Sequence, residues 1–318
     1  MKILYGINGT GNGHIIKSIN IINELKKDKN CDIDILLSGT NHQIDIPFEV
    51  KYKMKGLSFE YSKGSIDYIK TILNLNPVRL IKDLKIDVLS YDKVVTDFEP
   101  ISAWACKLSK KSCIGVSHQY AFLSDKCPRP DSKSIIGEAV LSKLAPVDTP
   151  IGLHFQKYDD FIEYPVIKGD IKKLSVSNLG HYTVYLPSYN VSDIVKVLLD
   201  IPAKFEVFSN VEKQVKYKNI IVNKSSKTNF TNSLLSCDGI ITSAGFETPS
   251  ESLFLKKKLM VIPIKGQYEQ LCNSVALKEM GVFVGSGIGD ISNFISNGYR
   301  IEYKWEDPIN KIISIIKS

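Results

Sequence analysis

Residues 235–276 constrain the fold most tightly, because an apolar run, a break and a helical segment follow one another twice within them. Cys237–Thr242 is short, continuous and apolar, the pattern of a strand buried on both faces of a parallel sheet. Ser243, Ala244 and Gly245 then turn the chain. Thr248-Pro249 reads as the opening of a helix, with Thr as cap and Pro at the first helical position. Leu259–Ile264 is the second strand, and Lys265-Gly266-Gln267 breaks it ahead of a helix carrying Glu269, Gln270 and Asn273.

This order has a chemical use. A small-residue turn feeding a helix N-terminus presents backbone N–H groups and a positive dipole end, which suits a phosphate. Glu251, one turn in, can accept two hydrogen bonds from a ribose diol, and Glu269 and Gln270 can hold sugar hydroxyls. An ordinary βαβ unit, whose turn serves only its backbone, would need none of Glu251, Glu269, Gln270 and Asn273 at strand ends.

Strands alternate with helices almost throughout, so an α/β fold with parallel sheets is expected. The 318 residues suffice for two domains, and 43% hydrophobic content supports packed cores. A net charge of +7 is compatible with an anionic nucleotide or an anionic membrane surface, whereas no recognition motif supports nucleic acid. The six cysteines form no CxxC pair and read as free thiols in a reducing compartment. Lys2 leads straight into Ile3–Ile7, so no signal peptide is expected there. No apolar run approaches the ~20 residues of a membrane-spanning helix. A cytoplasmic protein is expected, with peripheral contact to the inner face of the membrane left open.

Taken from the start, Lys2–Ile7 is a strand. Gly9, Gly11 and Gly13 follow at alternate positions, then His14 and an amphipathic helix from about Ile15 to Lys27. A dinucleotide cradle looks similar, but the spacing is GxGxG rather than GxGxxG, and no acidic residue ends the second strand at Leu36–Thr40. His14 lies at the carboxyl end of strand one, the edge that faces the ligand crevice in open α/β sheets. Val94–Thr96 is a strand with Asp97 and Glu99 at its end, before a helix over Ser102–Leu108. Glu99 rivals His14 as a general base, and Asp97 could instead cap that helix. Cys113–Ser117 is a strand ending in His118 and Gln119, which line an acceptor cleft or serve capping and packing. Val50–Lys55 alternates, and Tyr61–Leu84 mixes Lys and Arg with Tyr, Ile and Leu, either a lipid-facing surface or solvated helices. Ile151–Phe155 is at or near the last strand of a first domain. After the polar stretch Lys168–Gly180, Tyr182–Leu186 opens a second domain, and Ser188 sits in the loop before a helix near Val191. Val282–Gly285 is a last strand and Trp305–Ile316 a terminal helix.

Two runs, S-A-G-F-E-T-P-S-E (243–251) and G-Q-Y-E-Q-L-C-N (266–273), carry a resemblance. They are similar to the donor-binding half of GT-B glycosyltransferases, the group holding the peptidoglycan N-acetylglucosaminyltransferase MurG and the UDP-glycosyltransferases. With G-T-G-N-G-H (9–14), T-D-F-E-P-I-S-A-W (96–104), S-H-Q (117–119) and K-G-Q-Y-E-Q (265–270), the chain resembles a MurG-like family of predicted glycosyltransferases. The resemblance implies two Rossmann-like domains with parallel sheets facing a cleft. These would be an acceptor-side domain over 1–165, a nucleotide-sugar domain over 166–304, and a C-terminal helix over 305–318 packing back on the first domain. It implies donor contacts from Gly11, Gly13, Ser188, Ser243, Gly245, Phe246, Glu247, Thr248, Glu251, Gln267, Glu269, Gln270 and Asn273. The loop around Ser188 departs from the MurG-like pattern, having no glycine.

On the acceptor side, Asp97 corresponds to the Asp that pairs with a catalytic His, here His14, with His118 and Gln119 nearby. The implied activity moves a sugar from a nucleotide-diphosphate donor, foremost a UDP-sugar, to a hydroxyl of a glycan or lipid-linked acceptor. Transfer would be inverting and metal-independent, since no DxD-type pair stands at a strand end, and would need no cofactor besides the nucleotide-sugar co-substrate. A nucleotide-sugar 2-epimerase, which shares this fold, and a non-catalytic nucleotide-sugar sensor are the alternatives.

Overall fold

The computed structural model describes residues 1–39, 45–56, 61–62, 65–66 and 77–318. It divides into two compact units, one of residues 1–127, 132–168 and 306–318, the other of residues 128–131 and 169–305. The first unit holds β1 (Lys2–Asn8), β2 (Asp32–Ser38) and β3 (Tyr52–Met54), followed by the antiparallel pair β4 (Tyr61–Ser62) and β5 (Ser65–Ile66). Then come β6 (Lys93–Asp97), β7 (Ile114–Ser117), β8 (Thr149–Leu153) and β9 (Ile162–Glu163). The second unit holds β10 (His181–Tyr185), β11 (Lys204–Ser209), β12 (Val215–Lys216) and β13 (Ile220–Lys224). It continues with β14 (Gly239–Ser243), β15 (Lys258–Ile262) and β16 (Phe283–Val284).

Both units obey one plan. The first sheet has the order β3-β2-β1-β6-β7-β8-β9, with every pairing parallel. The second has the order β12-β13-β11-β10-β14-β15-β16 and is parallel except for β12 against β13. In each, the chain lays its first strand in the middle, builds outward on one side, then returns to build on the other. The switch points therefore fall between β1 and β6 and between β10 and β14. Loops leaving the carboxyl ends of those strands diverge and leave a crevice, where open α/β sheets bind ligands.

Continuous apolar strands put the cores under these sheets. Leu4, Leu36 and Val94 pack with Ile101 and Ala105 of the helix Pro100–Ser109 in the first unit. Val184, Val207, Ile241 and Met260 pack with Ile194 and Leu198 of the helix Val191–Leu198 in the second. Five of the six cysteines are buried and all six are free thiols, as their spacing implied.

Several element ends differ from expectation. The first helix spans Asn12–Leu25 rather than starting near Ile15, because extended Gly11 hands directly to helical backbone. The helix expected over Ser102–Leu108 spans Pro100–Ser109, with Pro100 in the first turn, where its missing N–H is harmless. The helix expected to open at Thr248-Pro249 begins at Glu247, with Phe246 at the cap position and no side-chain cap. Phe246 is 8% exposed, so its burial helps to anchor the entry to the helix. The terminal helix covers Ile309–Lys317 only: Pro308 stands just ahead of it, and Trp305 lies outside it, against Phe254. The expected lipid-facing surface over Tyr61–Leu84 falls largely outside the described residues. Among the described residues no helix is long and apolar enough to cross a membrane.

Candidate active site

The switch point of the first unit assembles a charged cluster from segments about 80 residues apart. Asp97 ends β6 beside Ile7 of β1 and is fully buried. Its Oδ1 accepts from His14 Nδ1 at 2.8 Å and from Lys17 Nζ at 2.7 Å, and its Oδ2 accepts from the Ser18 hydroxyl at 2.9 Å. Burial pushes the Asp97 pKa up, but the Lys17 ammonium and His14 more than reverse this, lowering it to about 2. Lys17 also donates to Ser117 Oγ at 3.3 Å, and Ser117 donates to Gln119 Oε1 at 2.5 Å. With Nδ1 directed at Asp97, the His14 imidazole turns its Nε2 edge away from that carboxylate, on a side chain 16% exposed.

The turn after β6 separates two neighbouring carboxylates. Phe98 between them has left-handed backbone at φ 51°, a conformation costing a bulky residue about 1–3 kcal/mol. Asn8 helps to hold it: its Nδ2 donates to the Phe98 carbonyl at 3.0 Å, and its Oδ1 accepts from the Thr10 N–H at 3.0 Å. One side chain thus ties the glycine loop to the Asp97 turn. Glu99 is fully buried and caps the helix Pro100–Ser109, accepting from the N–H groups of Ile101 and Ser102 at 2.7 Å each. The Ser38 hydroxyl donates to the same carboxylate at 2.6 Å. Burial raises the Glu99 pKa against those hydrogen bonds. The capping role considered for Asp97 therefore belongs to Glu99.

His118 is 2% exposed, with Nδ1 2.7 Å from the Leu153 carbonyl and its ring edge-on to Phe122 and His154. These are the contacts of a core histidine. Gln119, 8% exposed, extends the chain of hydrogen bonds from Lys17 through Ser117.

The second unit carries its polar residues at its own switch point. After β14, Ser243, Ala244 and Gly245 lead into the helix Glu247–Phe254, with Glu247 and Thr248 in its first turn and Glu251 buried one turn further on. Asn273, fully buried on the helix Tyr268–Glu279, donates to the Ala244 carbonyl at 3.1 Å and so fixes the turn. Gln270 shapes the neighbouring loop: its Oε1 accepts from the Ile264 N–H at 3.1 Å, and its Nε2 donates to Gln267 Oε1 at 2.7 Å. Glu269 stands beside it in the first turn of that helix. Ser188 is exposed in the turn after β10. Gly11 and Gly245 share a property: neither has a left-handed φ, and a Cβ on either would meet no atom within 4 Å beyond its own chain neighbours. The protein's own packing does not ask for glycine at either position. Gly13 lies in the first turn of its helix.

Asn8, Lys17 and Ser18 were not singled out in the sequence. The available signal was Lys17-Ser18 interrupting the apolar stripe Ile15, Ile21, Ile22, Leu25 on a helix face that is otherwise core.

Among solved structures, MurG from Acinetobacter baumannii aligns over 100% of this chain and 99% of its own at 11% identity, TM-score 0.62. The glycosyltransferase SnogD from Streptomyces nogalater aligns over 99% of both chains at 13% identity, TM-score 0.58. MnaA from S. aureus, in a structure with UDP, covers 99% of this chain and 96% of its own at 10% identity, TM-score 0.63. These coverages and TM-scores show a shared fold, the two-domain GT-B architecture. A comparison with curated proteins gives no match. Residues 1–296 match the family model for glycosyl transferase family 1, and the chain belongs to that family: it is a glycosyltransferase.

Proposed function

We propose that the protein transfers a sugar from a nucleotide-diphosphate donor, with UDP the leading candidate, to an acceptor hydroxyl, with inversion and without a metal. The observation that carries this reading is the Asp97–His14 pair at a switch point, with His14 Nε2 left for proton transfer. Asp97 accepting from Nδ1–H fixes the tautomer that leaves a lone pair on Nε2. His14 Nε2 takes the acceptor's proton as its oxygen bonds to the anomeric carbon. The bond from that carbon to the diphosphate breaks, and the electron pair leaves with the phosphate oxygen. Attack from the face opposite the leaving group inverts the centre.

The second unit serves the donor. The N-terminus of the helix Glu247–Phe254 turns its positive dipole end to the diphosphate. Glu251 holds the ribose diol, while Glu269 and Gln270 take sugar hydroxyls on a loop that Gln270 itself shapes. Ser188, at the other side of the switch point, donates to phosphate. Open space at Gly11 and Gly245 lets a ligand approach the backbone, which accounts for glycines the fold does not need. UDP as the leading nucleotide is supported by the solved neighbours seen with UDP, MnaA and Arabidopsis thaliana UGT89C1, while SpnG, seen with thymidine diphosphate, makes TDP the next candidate. A glycan or lipid-linked acceptor, used at the cytoplasmic face of a membrane, fits the basic net charge of +7.

The deciding experiment is a thermal-shift screen with UDP, GDP, TDP and CDP, run on the wild type and Glu251→Ala. A nucleotide at a hundredfold excess over its Kd stabilises the native state by about 2.7 kcal/mol, a shift of a few degrees. UDP is expected to give that shift and Glu251→Ala to lose it. A shift with another nucleotide alone reassigns the base, and no shift with any removes the nucleotide-sugar reading.

A further inference from the structure

The buried face of the helix Asn12–Leu25 carries an anomaly. Lys17 sits on it at 3% exposure among Ile15, Ile21 and Leu25. Lysine is almost never this buried unless paired. Its partner is Asp97 Oδ1, the same oxygen that accepts from His14 Nδ1. Fixing a histidine tautomer needs only the carboxylate, so the lysine calls for a separate reason. A buried carboxylate facing an imidazole alone draws a proton onto it, because an opposite charge at hydrogen-bond distance favours the charged form. An imidazolium has no lone pair and is no base. An ammonium on the same oxygen satisfies that demand.

The other groups around the pair do not substitute for it. Tyr5 from β1 and Tyr120 from the helix His118–Ala121 both feel Asp97, but burial pushes their pKa values well above the ordinary phenol range and keeps them neutral. Glu99 directs its charge at Ser38 and a helix N-terminus. Ser18 and Ser117 are neutral donors. Of the described side chains that bond to Asp97, Lys17 is the one with a permanent positive charge.

We infer that Lys17 is a positioning residue whose ammonium, on the same Asp97 oxygen as His14 Nδ1, offsets the carboxylate's charge so that Asp97 orients the imidazole without drawing a second proton onto it. This rests on the reading of His14 as the base. The same ammonium fixes the carboxylate in place, since it also reaches Ser117 and through it Gln119.

The test follows His14 itself rather than turnover. The full-length chain is labelled with 15N-histidine, its five imidazoles are titrated by NMR, and the His14 signal is identified by its loss in His14→Gln. Lys17→Met is expected to raise the His14 titration midpoint by about one pH unit or more, the size of a single close charge. Lys17→Arg, which keeps the charge, is expected to stay within a few tenths of a unit of the wild type. Lys17→Gln keeps a hydrogen bond to Asp97 without charge, and should titrate like Lys17→Met. It also serves as the uncharged variant if the methionine does not fold. An unmoved midpoint in a folded uncharged variant overturns the inference, as does a Lys17→Arg midpoint that moves as far as that of Lys17→Met. The titration needs no turnover, so its failure is distinct from failure of the base assignment, which His14→Ala kinetics tests.

Discussion

Asp97→Asn is the perturbation whose size follows most directly from the structure. Asp97 has no exposed surface, and its carboxylate faces His14, Lys17 and Ser18. Its folded pKa of about 2 stands below the ordinary 3.8. A difference near 1.8 units corresponds to roughly 2.5 kcal/mol in favour of the folded state. The folded value is the lower one, so this contribution is complete above about pH 4 and is lost as pH falls through about 2. Asparagine removes it at every pH and also strands the Lys17 ammonium, 3% exposed, without a counter-charge. Breaking one side of a buried pair costs about 3–5 kcal/mol, and that range is expected at pH 7.

The chain has two tryptophans, Trp104 in the first unit and Trp305 in the second. In a Trp305→Phe background, the fluorescence of Trp104, which donates to the Leu144 carbonyl, reports unfolding of the first unit alone. With a urea m-value of about 2 kcal/mol/M, the midpoint should fall by about 2 M. The deficit should shrink as the pH is lowered towards 2. Adding Lys17→Met to Asp97→Asn should recover part of the loss, because the stranded charge is removed with its partner. A loss under about 1 kcal/mol, or a double variant as unstable as the sum of the singles, would refute a buried Lys17–Asp97 ion pair.

His14→Ala should lower turnover at least a hundredfold, measured as UDP released from the sugar nucleotide, while the thermal shift with UDP persists; unchanged turnover removes His14 from the mechanism. Glu99→Ala strips the helix Pro100–Ser109 of its cap and should cost about 2 kcal/mol in the same Trp104 assay, while Glu99→Gln should keep turnover within tenfold. Turnover abolished in Glu99→Gln but retained in His14→Ala would exchange the two roles. Lys257, 4% exposed, donates to the carbonyls of Ser177, Leu235 and Cys237 at 2.7–2.9 Å. Lys257→Met should destabilise the second unit by about 3 kcal/mol, read from Trp305 in a Trp104→Phe background. A change within 1 kcal/mol would mean those carbonyls find other partners.

Local sequence determined the alternation of strand and helix, the parallel sheets it requires, and the edges where chemistry collects. Apolar runs broken by Gly-Thr-Gly or Ser-Ala-Gly fix where a strand stops and a helix begins to within a few residues. The residue straight after such a break lands at the carboxyl end of the sheet whatever the rest of the chain does. The placement of His14 just beyond β1 and of Asp97 at the end of β6 was legible for that reason, whatever their roles. Helix starts were less so, because caps compete: Thr248 looks the better cap, yet the turn places Phe246 there and buries its ring. The order of strands, in contrast, is a tertiary decision, and it sets β1 beside β6 although about 80 residues separate them. That adjacency gives Asp97 to His14, Lys17 and Ser18, frees it from capping, and leaves Glu99 to cap its helix. Asn8 reaching Phe98, and Asn273 reaching Ala244, are contacts of the same kind. No window along the chain contains both members of such pairs. Their energies come from burial, and only the packed sheet supplies it.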